Sequence, residues 1–119
     1  MKADLQKKGD VFVVSIQGKL EIENTQPFRD ACLGKLMNQK LVFNMERASF
    51  VGSTGLQPFL DAITQIDQKS SFGLKIVGVK PEFRRVISNL ETSKVSFYDD
   101  VNTAIGSFSI PDDSGTEII

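Results

Sequence analysis

No histidine and no tryptophan occur in this chain of 119 residues, and cysteine occurs once, as Cys32. The missing imidazole removes the Ser-His-Asp and Cys-His arrangements of nucleophilic catalysis, and with them the common His-containing zinc sites. A lone thiol removes thiolate clusters and any internal disulfide, and fits a reducing, cytoplasmic setting. Apolar runs are a few residues long, far short of the roughly 20 that span a bilayer. The opening MKADLQKKGD has no apolar stretch of the secretory kind. Charge of either sign is not in excess: 14 basic against 15 acidic side chains leave a formal net charge of −1. No overall field therefore draws the chain onto nucleic acid or an anionic membrane. No Asp/Glu cluster has metal-site spacing, and no Walker-type phosphate loop is present. These absences predict a protein that is not an enzyme, with no cofactor, metal, nucleic-acid partner, membrane span or small-molecule substrate.

What is present is the composition of an ordinary globular domain, 40% hydrophobic and 24% charged, in a chain long enough to build a core without staples. Val11–Gln17 is β-branched and aromatic and closes on Gly18, which predicts a strand; Asp4–Lys8 can pair before it across a Gly9-Asp10 turn. A polar loop over Gly18–Asn24 leads to a helix from Thr25 to Met37, capped by Asn24 or Thr25, with Pro27 in its first turn and Phe28, Cys32 and Leu36 as its apolar stripe. Leu41–Asn44 and Leu74–Val79 read as further strands. Leu56, Phe59, Leu60, Ile63 and Ile66 share one face of a second helix. Pro81 opens a third helix, carrying Phe83, Val86, Ile87 and Leu90. Val95–Tyr98 is a short strand, and Asp99-Asp100 suit the start of a last helix over Val101–Phe108. Strands alternating with helices predict an α/β sandwich: a mostly parallel sheet of about four to five strands, an antiparallel hairpin at its start, and about four helices. Residues 1–110 form the expected domain and 111–119, polar and acidic until the last two, an expected disordered tail.

The stretch from Leu41 to Ile66 holds the residues with a candidate function. A strand ends, a tight turn follows, and Gly52-Ser53-Thr54-Gly55 opens an amphipathic helix. The first backbone N–H groups of a helix lack intrahelical partners, so a phosphate or carboxylate is stabilised there. Pro58 requires the helix to begin close upstream, at Ser53 to Gly55, since proline deep in a helix removes a hydrogen bond and clashes with the preceding turn. Ser53 and Thr54 then stand at or just before the first turn. Either hydroxyl can serve simply as a cap, for roughly 1 kcal/mol, and Thr54 with Gln57 has capping-box spacing. A nucleophile elbow needs Gly-x-Ser-x-Gly and a base, which are absent. Lys80, Arg84 and Arg85 read as a solvated face or a basic contact patch, and Cys32 as a small buried hydrophobe rather than a reactive thiol.

The order strand, Phe50-Val51-Gly52-Ser53-Thr54-Gly55-Leu56, helix, strand, then Val79-Lys80-Pro81-Glu82-Phe83-Arg84-Arg85-Val86-Ile87 resembles the STAS domain of anti-sigma factor antagonists. In that family the switch reads Phe-x-Asp-Ser-Ser/Thr-Gly-Leu and a later segment Val-x-Pro-x-x-x-Arg followed by two hydrophobic residues. Gly18–Leu20 followed by Glu21 is similar to the family's Gly-Glu-Leu-Asp segment. The resemblance covers about residues 4–108. It implies a STAS-like sandwich and a bacterial, cytoplasmic regulator of transcription that acts by partner switching. An anti-sigma factor serine kinase binds the unphosphorylated domain, phosphorylation ends binding, and a phosphatase restores it. By position the phosphorylated serine is Ser53, with Thr54 the second hydroxyl. The partner-binding residues implied are Gly18, Lys19, Leu20, Glu21, Gly52, Ser53, Thr54, Gly55 and Gln57. Gly52 stands where the family carries Asp. That departure keeps a second reading open: an interaction module of a sensory complex or lipid-transport system, without a phosphorylation cycle.

Overall fold

The structure, a computed structural model, describes residues 1–50 and 56–108. Along the chain these form β1 (Lys2–Lys8), β2 (Val11–Leu20), α1 (Ile22–Lys35), β3 (Lys40–Phe50), α2 (Leu56–Lys69), β4 (Leu74–Val77), α3 (Pro81–Ser88), β5 (Val95–Tyr98) and α4 (Val101–Ser107). One five-stranded sheet has the order β1-β2-β3-β4-β5. The β1–β2 hairpin is antiparallel and the remaining pairings are parallel, as the strand–helix alternation predicts. The expected tail, residues 111–119, lies outside the described residues.

Alternation along the strands divides the side chains between two cores. Val14, Ile16, Leu20, Leu41, Phe43, Met45, Leu74 and Ile76 face α1, α2 and Ile87 of α3. Val11, Val13, Val42 and Val77 face the other way, where Ala104 of α4 covers them. The apolar stripe of α2 lies where its period places it: Phe59, Ile63 and Ile66 are fully buried and Leu60 nearly so. Phe28, Phe43 and Phe59 meet at centroid separations of 5.6 Å, 6.0 Å and 6.0 Å. They clamp both long helices onto the centre of the sheet, each such pair adding about 0.5–1.5 kcal/mol to its area burial.

β1 begins at Lys2 rather than Asp4, and β4 ends at Val77 rather than Val79. The largest boundary differences from the sequence expectation share one connected reason. β3 does not stop at Asn44 but runs to Phe50 through a bulge: Ser15 pairs with Asn44 while Gln17 pairs with Arg47. The extra residue shifts the inward pattern from Met45 to Ala48, so the alternation that marks a strand is broken in the sequence. β2 continues alongside it through Gly18, at φ +89°, to the buried Leu20. The loop expected over Gly18–Asn24 is therefore strand as far as Leu20, and α1 opens at Ile22 instead of Thr25. Its N-cap is Glu21, with no side-chain capping bond. The Glu21 carbonyl instead accepts from the backbone N–H groups of Asn24 and Thr25 and from Thr25 Oγ1. Pro27 falls in the sixth helical position, not the first turn, and the helix also ends earlier than expected, at Lys35.

Candidate partner-binding site

The parallel ladder brings Gly18 beside Ala48, Lys19 beside Ser49 and Leu20 beside Phe50. The ends of β2 and β3 thus run out together at the carboxyl edge of the sheet, where ligands and partners of open α/β sheets are bound. Gly18 and Lys19 are exposed there, and so is Glu21 at the N-cap of α1. Leu20 is different: it is 0% exposed and belongs to the core. Its side chain anchors the β2–α1 corner, leaving only the backbone of that position for contact. Gly52, Ser53, Thr54 and Gly55 lie outside the described residues, as does the expected Thr54–Gln57 capping box.

Gln57 is exposed near the start of the described part of α2, and Pro58 beside it is buried. Together with Ile22, Gln26, Arg29 and Asp61 they line an open groove of ≈ 460 Å³ between α1 and α2. Arg29 Nη1 reaches Asp61 Oδ2 at 3.3 Å and Arg29 Nε reaches Asp30 Oδ1 at 3.4 Å. Gln65 Nε2 donates to Asp61 Oδ2 at 3.2 Å. Such half-exposed pairs contribute little stability, at most about 1 kcal/mol. They fix the two helices in register and hold charged and amide groups around an exposed isoleucine, Ile22, at 37% exposure. The sequence reading did not single out Ile22, Gln26, Arg29 or Asp61. Ile22 fell in a stretch read as loop, and the other three are ordinary polar residues until two helices place them side by side.

Two of the basic residues after β4, Lys80 and Arg84, are engaged within the molecule. Arg84 stacks its guanidinium over Phe97, 4.7 Å from the ring centroid, and Lys80 Nζ donates to the Ala48 carbonyl at 3.3 Å. Pro81 stands at the start of α3 as its position predicts. Ionisation is perturbed elsewhere: burial pushes the Cys32 thiol up to about 12, while a hydrogen bond from Lys40 holds Asp10 low and backbone donation from Thr103 holds Asp100 low. Among the described residues no group of three or more His, Cys, Asp or Glu could hold a metal ion, and no helix is long and apolar enough to cross a membrane. What the groove and the sheet edge offer is a surface with an apolar centre and a polar rim, the make-up of a protein contact.

Comparison with known proteins agrees with this architecture. The family model for the STAS domain matches residues 2–104. A crystal structure from Thermotoga maritima superposes with a TM-score of 0.70 at 21% identity, covering 91% of this chain and 95% of that one. An anti-sigma factor antagonist from Mycobacterium paratuberculosis gives 0.66 at 21% identity, covering 92% and 94%. The Bacillus cell fate determinant SpoIIAA in its phosphorylated form gives 0.61 at 18% identity, covering 89% and 98%. At these identities the likeness is one of fold. The five-stranded sheet with its antiparallel first pair, the helices on its two faces and a family match over nearly the whole described chain lead to one statement: this protein belongs to the STAS domain family.

Proposed function

We propose that this protein is an anti-sigma factor antagonist that acts by partner switching, binding an anti-sigma serine kinase through the edge formed by the β2–α1 corner, residues 51–55 and the start of α2. The observation that carries the reading is the ladder from Gly18–Ala48 to Leu20–Phe50. It sets exposed Gly18, Lys19 and Glu21 beside the end of β3, after which the sequence continues through residues 51–55 to α2. This supports a contact edge that unites the segments of the family resemblance. Gln57 and the α1–α2 groove continue that surface. Phosphorylation at Ser53, with Thr54 as second acceptor, adds about −1.5 to −2 charge there and occupies the space against which the kinase docks. A phosphatase reverses it, and the output is release of a sigma factor and a change in transcription. Cytoplasmic placement follows from such partners.

Gly52 favours a second reading. Without the carboxylate that the family carries before its serine, the turn loses a side-chain acceptor and gains backbone freedom, which suits a STAS module that binds by shape with no phosphorylation cycle. Incubation with an anti-sigma serine kinase and ATP, followed by intact-mass measurement, separates the two. The switch requires one phosphoryl addition that disappears in Ser53→Ala. Unmodified protein that still binds the kinase supports the module.

A further inference from the structure

A second groove, lined by none of the same residues, lies between the hairpin and α1. Ala3, Leu5, Phe28, Ala31 and Leu36 give it an apolar lining, to which Asp4 and Lys35 add one charge of each sign. Leu5 faces it because it pairs with Val14, a residue of the helix-covered core, yet Leu5 is 55% exposed, the most exposed large hydrophobic side chain among the described residues. The cations near it gather at one end. Lys7 shares the face of Leu5, with its Nζ 5.6 Å from the Phe12 ring centroid, and Lys35 closes α1 just before β3 returns to pair with β2. Lys8, paired with Val11, stands on the α4 face at the same end of β1. Lys40, close by, is bonded to Asp10 at 2.6 Å.

We propose that residues 109–119 of this same chain dock on that groove, placing Ile118 and Ile119 against Leu5, Phe28 and Ala31 and the acidic residues among the lysines. Three observations carry this. The segment SIPDDSGTEII has three carboxylates, Asp112, Asp113 and Glu117, no cation, and two adjacent isoleucines, which is the complement of an apolar groove with a basic end. The described chain leaves α4 at the right end of the molecule: Phe108 lies under Lys75 Nζ, 4.5 Å from the ring centroid. Lys75 is the second residue of β4 and pairs with Val42, next to the start of β3. The reach is sufficient. Phe108 packs on the α4 face of the sheet and the groove opens on the other. The segment must therefore cross three strand spacings to β1, about 15 Å at ~4.8 Å each, and pass round its edge, roughly 10 Å more, whereas eleven extended residues span roughly 36 Å. Tethering also favours an occupant from the same chain over a second copy, because a short linker supplies an effective concentration of order millimolar.

Amide NMR spectra of the full chain, of a chain ending at Phe108, of Leu5→Glu and of Ile118→Ser/Ile119→Ser test the proposal. Docking requires the truncation to shift the amides of Ala3–Leu5, Ala31 and Leu36, and the double serine variant to move them the same way. Leu5→Glu should give Ile118 and Ile119 the signals of a free peptide, and the shifts should be independent of protein concentration. The two serine substitutions lie outside the core, so this arm stands even where Leu5→Glu perturbs the hairpin. Groove amides that do not respond to truncation would overturn the proposal. So would concentration-dependent shifts, which assign the groove to a second copy, or a lipid found in the groove by native mass spectrometry of the purified chain.

Discussion

Asp67 is an acidic residue near the end of α2, 7% exposed, with one carboxylate oxygen accepting from two backbone N–H groups, Ser93 at 3.1 Å and Lys94 at 2.6 Å. It ties the helix to the segment that enters β5. Lys94 Nζ returns to the Ser70 carbonyl at 2.9 Å, and Ser70 Oγ accepts from Phe72 and Gly73, so the turn after α2 is held from both sides. Asp67→Ala strands two donors and should cost about 1–3 kcal/mol in chemical denaturation, whereas Asp67→Asn, which keeps an acceptor, should recover part of that. Cys32 is buried beneath α1 and its thiol is pushed from an ordinary 9.0 up to about 12. The unfolded chain therefore loses this proton first. The stabilisation is complete below pH 9 and falls as pH rises from about 9 towards 12. Cys32→Ala should flatten that part of the stability profile relative to wild type, as followed by urea denaturation at a series of pH values. The native thiol should react with a disulfide reagent at pH 8 far more slowly than the denatured one.

Periodicity made the helices legible where one face alone is buried. The Phe59–Ile66 stripe, the proline that opens α3 and the Asp100 cap, whose carboxylate accepts from Thr103 N at 2.7 Å, all follow from local rules. Leu60→Ala should cost roughly 2–5 kcal/mol; a loss below about 0.5 kcal/mol in denaturation would mean that this face of α2 is not the buried one. Boundaries failed where a tertiary contact overrode the local signal. Gly18 reads as a strand end, yet β3 offers ladder partners as far as Phe50. Glu21 is a weak cap by propensity, but burial of Leu20 and Thr25 fixes where α1 begins. The bulge in β3 hid half of that strand because two residues there oppose one on β2. Two more glycines have a tertiary reason that no local pattern carries. Gly73 (φ +75°) and Gly78 (φ +74°) pass so close to Lys94 and Glu46 that a Cβ would collide with them.

At the scale of the molecule, one sheet separates two unequal cores. α1, α2 and α3 serve one face, while α4 alone serves the other. The carboxyl edge of the sheet carries the groove between α1 and α2, and the opposite end carries the basic end of the hairpin groove, so the two proposed contacts do not compete for the same residues. In the sequence, the order of the motifs and Pro58 are what point to the first of the proposed surfaces. The same sequence shows no sign of the α1–α2 groove, which exists only once Arg29 and Asp61 meet across two helices. The central claim is that Ser53 stands within the partner-binding edge. Calorimetry of kinase binding to wild type, Ser53→Ala and Ser53→Asp tests it most directly. A desolvated, unpaired carboxylate is costly at an interface, so Ser53→Asp should weaken binding by about 1 kcal/mol or more, roughly fivefold, with an unchanged circular dichroism spectrum, while Ser53→Ala binds as wild type does. Equal affinity for all three proteins would contradict the account and leave Ser53 with no role beyond capping α2.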